Sequence, residues 1–188
     1  MSTKVSLVGA TIATAVAATA SADVTYTFTD STWAGFNFTQ LFGADSGSFV
    51  SGTLTGVSVN ATLSASTSFT YADDLCIYVD VLPLSGGGLL QVGGFSNLSA
   101  SQRYFWPNGG SSAPGTTVSG TVNLTTALSF SGTAADAAIW LGNGYGASGT
   151  SGTWSGSITL IGVNVIPAPG ALALLGAVGL VGSRRRRA

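Results

Sequence analysis

The chain has 188 residues, of which 45% are hydrophobic, 10% aromatic and 7% charged, with no histidine and one cysteine. That content excludes a Ser-His-Asp or Cys-His catalytic group and a histidine-based zinc site, and one cysteine cannot close an intramolecular disulfide. Of the six basic residues, Lys4 and Arg184, Arg185, Arg186 and Arg187 sit at the two ends, leaving Arg103 alone against seven aspartates, so a nucleic acid would find no basic patch.

Residues 1–22 carry Lys4, then small and apolar residues from Val5 to Ala20, and close on Ala20-Ser21-Ala22. A positive start, an apolar centre and a small-x-small end predict a secretory signal helix, cut by signal peptidase between Ala22 and Asp23. Cys76 is far from that junction, so no lipid-modified N-terminus is expected, and its place between Leu75 and Ile77 predicts a core residue.

From Asp23 to Val165 the chain is rich in Gly, Ser, Thr, Val and aromatic residues, a composition of strands and turns. Val57, Val59, Ala61, Leu63, Ala65, Phe69 and Tyr71 occupy odd positions, with Ser58, Asn60, Thr62, Ser64, Ser66 and Thr70 between them. Such alternation places the apolar set on one face of a sheet, and its length predicts a bend or break near Ser64 to Thr67. Shorter patterns of the same kind run over Val24 to Phe28, Phe36 to Phe42, Leu75 to Val81 and Val118 to Leu124. Turns are predicted at Ala44 to Gly47, Ser85 to Gly88, Pro107 to Gly110 and Gly142 to Gly152. About nine strands, each with one apolar face, need a partner layer, supplied by two packed sheets or a closed barrel; the aromatic load favours a sandwich. Val57, Val59, Leu63, Phe69, Leu75, Ile77, Phe130, Trp140, Ile158 and Leu160 are the expected core, with Ser58, Asn60 and Thr62 on the other face.

The run of Val57 to Leu63, Asp74-Leu75-Cys76-Ile77-Tyr78-Val79 and Leu89-Leu90-Gln91-Val92-Gly93-Gly94 is followed by Phe130-Ser131-Gly132, Ile139-Trp140-Leu141, Ser151-Gly152-Thr153-Trp154 and Ser157 to Leu160. In that order these segments resemble the P domain of subtilisin-like proprotein convertases. The resemblance runs from Gly56 onward and implies a jelly-roll topology for the β-sandwich expected over residues 23–165. Pro83-Leu84-Ser85-Gly86 replaces the family's Ser-Pro-x-Gly turn, and Asn143 stands where it has Asp. A carbohydrate-binding jelly roll is the neighbouring alternative.

With no Glu and no His, chemistry in this region falls to aspartates and aromatic rings, and no enzyme is expected. Asp73-Asp74 is the one adjacent carboxylate pair, and on a strand its members would point to opposite faces, which argues for a strand cap over a converging acid pair. Asp73, Asp74 and Asp80 are the oxygen ligands that calcium, the one cofactor these residues would suit, takes outside the cell. The glycine runs precede no Lys-Ser helix and read as turns, not phosphate cradles. Among the four tryptophans, Trp106 beside Pro107-Asn108-Gly109 is the candidate for an exposed sugar contact, although burial is the usual fate of Trp. Asn37, Asn60, Asn97 and Asn123 open glycosylation-type triplets, and the Thr and Ser content would suit O-linked sugars.

The chain closes on residues 166–188: Ile166-Pro167-Ala168-Pro169-Gly170, an apolar run from Ala171 to Gly182, then Ser183 and the four arginines Arg184, Arg185, Arg186 and Arg187. The apolar run falls short of the ~20 residues that span a bilayer unaided, and the arginines hold its end on the cytoplasmic side, leaving the preceding domain outside. This tail resembles the PEP-CTERM sorting signal of exported bacterial proteins, with Pro167, Ala168 and Pro169 at the Pro-Glu-Pro positions, Ala168 in place of Glu, and Arg184, Arg185, Arg186 and Arg187 as the arginine cluster. The resemblance implies a short membrane helix and processing by an exosortase-type membrane protease; the alternative is an ordinary tail anchor. Either way the expected location is the cell envelope, the outer surface or the extracellular matrix, where a non-catalytic sandwich would meet extracellular polysaccharide.

Overall fold

The computed structural model describes residues 22–83 and 86–166. The signal segment up to Ser21, and with it Ala20, lies outside them. So do the expected sorting-motif residues Pro167, Ala168, Pro169, Arg184, Arg185, Arg186 and Arg187, and both helices expected at the ends. Among the described residues no helix is long and apolar enough to cross a membrane.

Nine strands are present among the described residues: β1 (Val24–Ala34), β2 (Phe38–Phe42), β3 (Phe49–Thr67), β4 (Leu75–Asp80), β5 (Leu90–Val92), β6 (Gln102–Tyr104), β7 (Thr117–Ser131), β8 (Ala138–Asn143) and β9 (Ser151–Ile166), with one 3-10 turn over Ala72–Asp74. They form two sheets, a four-stranded one in the order β1-β9-β3-β7 and a five-stranded one in the order β2-β8-β4-β5-β6. All pairs are antiparallel except β5 with β6. The fold is therefore all-β with two sheets, and neither closes into a barrel.

The long β3 shows how its sequence sets its faces. Val57, Val59, Ala61 and Leu63 are buried, while Asn60 is exposed and Ser58 and Thr62 are half-exposed. On the outer face Ser58 shares a hydroxyl hydrogen bond of 2.6 Å with Thr121, and Thr62 one of 3.1 Å with Thr117 on β7. Upstream the inward set has the opposite parity, Val50 and Leu54, because the pairing with β7 slips between Leu54 and Gly56. The inward residues step from Leu54 to Val57 there, and that one extra residue re-phases every side chain after it. A second slip, between Leu63 and Ala65 against β9, marks the break foreseen near Ser64. Beyond it the alternation fails: Ala65 is exposed, the strand ends at Thr67, and Phe69 is 77% exposed. Phe69 is thus the one member of the expected core that is exposed, while Trp140 is buried but in a separate cluster. Ser68 and Phe69 both take positive φ, 49° and 62°, so the chain reverses where the two-residue period assumed it ran on.

The two sheets share one core. Leu54, Val57, Leu63, Trp154, Ile158 and Leu160 from the first meet Leu75, Ile77, Val79, Leu90, Ile139 and Leu141 from the second. Each such side chain contributes about 1.5–3 kcal/mol by leaving water, so a register slip on either sheet would expose several at once. The five-stranded sheet is covered on its outer face as well, where Cys76, Tyr78, Leu98, Ala138 and Trp140 form a second cluster. The cover is the segment after β5, held down by the buried Gln91. Its amide donates to the carbonyls of Gly93 and Ser96 and accepts the N–H of Leu98. Tyr78 adds a hydroxyl bond to the Leu98 carbonyl at 3.0 Å.

Two sequence boundaries shift. The turn expected from Gly142 starts later, since Gly142 and Asn143 complete β8 and pair with Cys76 and Leu75. Gly142 is needed there because a side chain would strike the Asn37 carbonyl on the neighbouring segment. Ile166, assigned to the tail, is still in β9 opposite Phe49. At the other end Ala22 and Asp23 are tied to the same strand: the Ala22 N–H donates to Asn164 Oδ1 at 2.9 Å, and Asp23 Oδ1 accepts the Gly162 N–H at 3.1 Å.

Candidate functional site: an aromatic cleft with an acidic floor

At the edge of the core, between the end of β3 and the start of β4, the 3-10 turn Ala72–Asp74 is fixed by its own backbone. The N–H groups of Ala72, Asp73 and Asp74 bond the carbonyls of Ser111, Gly109 and Tyr71 at 3.0, 3.2 and 3.1 Å. In the other direction the Trp154 indole donates to the Ala72 carbonyl at 3.1 Å. The N–H groups of Gly94 and Gly144 reach the carbonyls of Asp73 and Asp74 at 2.9 and 2.8 Å. Three distant loops therefore converge on three residues. A turn with every backbone group satisfied is rigid enough to present side chains to solvent.

Above this turn lies a cleft of about 290 Å3 lined by Phe69, Tyr71, Asp73, Asp74, Gly94, Phe95, Phe105, Trp106 and Tyr145. Phe69, Phe95 and Phe105 are 77%, 74% and 62% exposed and Tyr71 is 40% exposed, so most of the large aromatic surface that the fold leaves in water borders this one cleft. Scattered exposed apolar residues need no explanation, but a cluster does. Phe95 and Tyr145 meet edge to face with ring centres 5.6 Å apart. The guanidinium of Arg103 sits 4.5 Å from the centre of the Phe105 ring and donates to the Phe95 carbonyl at 2.8 Å, bracing both walls.

The two aspartates form the floor. Asp74 is buried and accepts the N–H of Tyr71 on Oδ2 at 2.7 Å and that of Phe95 on Oδ1 at 3.0 Å. It thus joins the turn to one wall of the cleft. Burial, with the adjacent Asp73 charge, pushes its carboxyl up to about 6, although those two N–H bonds pull the other way. Asp73 is half-buried, and burial raises its carboxyl too, against the pull of its own N–H.

Three readings of the sequence change here. Asp73 and Asp74 lie in a turn and not on a strand, and both line the cleft, so the argument that they point to opposite faces does not apply. Asp80 sits at the far end of β4, roughly 17 Å along the strand at about 3.3 Å per residue. The three carboxylates proposed for calcium do not gather, and no group of three His, Cys, Asp or Glu able to hold a metal ion occurs among the described residues. Trp106 is not an exposed platform: it is 5% exposed and its indole N–H donates to the Leu75 carbonyl at 2.7 Å, forming the back of the cleft. Gly93, at φ +77°, lets it in, since a side chain there would collide with the indole and with that carbonyl. Cys76 is fully buried, and burial, reinforced by the Asp74 charge, raises its thiol well above the usual range, so it is an inert core residue.

The sequence reading missed Phe69, Tyr71, Phe95, Phe105 and Tyr145 as cleft residues. Only two weak signals pointed to them, the adjacency of Phe105 to Trp106 and the Gly93-Gly94 turn before Phe95. Comparison with protein-family models, curated proteins and solved structures found no match to the chain.

Proposed function

We propose that this is an exported bacterial cell-surface or extracellular-matrix protein, routed by its N-terminal signal and its PEP-CTERM-like tail, whose sandwich is a non-catalytic binding module for carbohydrate. The jelly-roll topology implied by the P-domain resemblance belongs to the same proposal. The observation that carries the binding role is the cleft: several exposed aromatic rings around two carboxylates, on a turn with every backbone group bonded. Aromatic faces stack on the apolar faces of pyranose rings, and carboxylates accept hydrogen bonds from sugar hydroxyls. The cleft supersedes Trp106 as the contact surface.

The test has two arms. Polysaccharide pull-down with the mature protein is expected to lose most of its signal in Phe105→Ala and Phe95→Ala; retention by both variants rejects the cleft as the sugar site. Fractionation of the native host is expected to find the domain outside the cytoplasm, and a mainly cytoplasmic protein rejects export. In the same blots, Pro167→Ala with Pro169→Ala is expected to leave insertion intact but trap full-length protein in the membrane, because proline favours the extended backbone that a protease cleft accepts. Normal release of that variant would make the tail an ordinary anchor. Deleting Arg184, Arg185, Arg186 and Arg187 is expected instead to weaken retention before processing, since nothing then opposes translocation of the tail.

A further inference from the structure

We infer that the sugar held in this cleft carries a protonated amino group, as in a de-N-acetylated hexosamine of an extracellular polysaccharide, with the ammonium directed to Asp73 and Asp74. This rests on the carbohydrate reading above and narrows it. The floor of the cleft holds two adjacent carboxylates, one buried and one half-buried. The single basic side chain between residues 22 and 166 is Arg103, whose guanidinium lies over the Phe105 ring and donates to the Phe95 carbonyl and not to Asp73 or Asp74. Among the described residues neither floor carboxylate is held in an ion pair, and no basic group offsets the rise that burial causes in either. A neutral sugar would supply hydroxyl donors only. An ammonium supplies shorter, charge-assisted hydrogen bonds to the carboxylates, and attraction to the faces of the surrounding rings adds to them. A sugar acid such as a uronate would be repelled by the same floor. The volume of about 290 Å3 is at the low end for small-molecule sites and suits roughly one or two sugar rings.

Three β-1,4-linked tetramers that differ at carbon 2 separate these possibilities: glucosamine, N-acetylglucosamine and glucose, measured by calorimetry on the mature protein at about pH 6.5, above the value of about 6 to which burial pushes Asp74. The glucosamine tetramer is expected to bind roughly tenfold or more tightly than the other two, with an affinity that falls as salt is raised. Asp73→Asn is expected to abolish that preference, the glucosamine tetramer then binding no more tightly than the two neutral tetramers measured on the same variant. Asp74 stays intact in this variant, so the Tyr71 and Phe95 bonds that shape the cleft are kept. Equal binding of all three tetramers overturns the amino-sugar inference and leaves the carbohydrate reading standing, whereas no binding of any tetramer rejects both. A preference that survives Asp73→Asn, or that is insensitive to salt, overturns the inference even if one variant folds poorly. Binding of tetramethylammonium as tight as that of the glucosamine tetramer would mean that the cleft reads a cation without a sugar, and also overturns it.

Discussion

Trp106→Phe separates a structural tryptophan from a ligand contact. In the fold the Trp106 indole N–H donates to the Leu75 carbonyl at 2.7 Å with both groups inside, and the ring packs in the shared core. Phenylalanine keeps an aromatic ring but has no donor, so the Leu75 carbonyl is left without its indole partner, at a cost of about 1–3 kcal/mol. The smaller ring also leaves a void of about 40 Å3, which at ~24 cal/mol per Å3 adds about 1 kcal/mol. The two effects together come to about 2–4 kcal/mol. With a urea slope of ~2 kcal/mol per M, the unfolding midpoint of the mature protein should drop by about 1–2 M at unchanged slope. Far-UV circular dichroism is the right probe, because removing a tryptophan alters fluorescence directly. A midpoint within about 0.3 M of the parent, together with loss of sugar binding, would refute the burial argument and restore Trp106 as an exposed contact.

The register of β3 predicts that Val59→Asp destabilises by several kcal/mol, an unpaired charge entering the core, whereas Asn60→Asp one residue away stays within about 0.5 kcal/mol; equal melting temperatures for the two would reverse the faces assigned to the strand. Asp74 sets a pH dependence with an unusual sign. Its folded carboxyl titrates at about 6, above the ordinary 3.8, so between those values the folded state binds more protons than the unfolded one. The Asp74 contribution to stability should therefore rise as pH falls from about 6 towards the ordinary value of 3.8, and Asp74→Asn should flatten that limb of a melting-temperature profile; an unaltered limb would place the effect on another group. Phe69→Gly should stabilise by up to about 1 kcal/mol, since φ +62° is strained for Phe and open to Gly, and should weaken ligand binding by removing a wall of the cleft. A variant that binds as well as the parent would show that the strained loop serves no ligand.

That the chain is all-β and needs a second layer over its apolar faces is legible in the order of its residues. Alternation in β3, β1 and β7 is a local property of the chain: once successive side chains point to opposite faces, apolar residues at every second position require a second sheet to cover them. The core members Val57, Leu63, Ile77, Ile158 and Leu160 could be named for that reason. The same logic broke down at Phe69, because the period holds only while the backbone stays extended, and the positive φ at Ser68 and Phe69 turns the chain between β3 and the 3-10 turn. The cleft needed the tertiary fold for a related reason. Its rings come from four separate segments, around residues 69–74, 94–95, 105–106 and 145, brought together by a three-residue turn that donates to the carbonyls of Ser111 and Gly109 and accepts from Gly94, Gly144 and Trp154. No spacing along the chain encodes that meeting. Trp106 and Phe105 make the point most sharply: they are adjacent aromatic residues with the same local sequence, yet Gly93 opens a slot for one indole and leaves the next ring 62% exposed. Which neighbour goes inside is decided by the space the other strands leave, and that exists only once both sheets have packed.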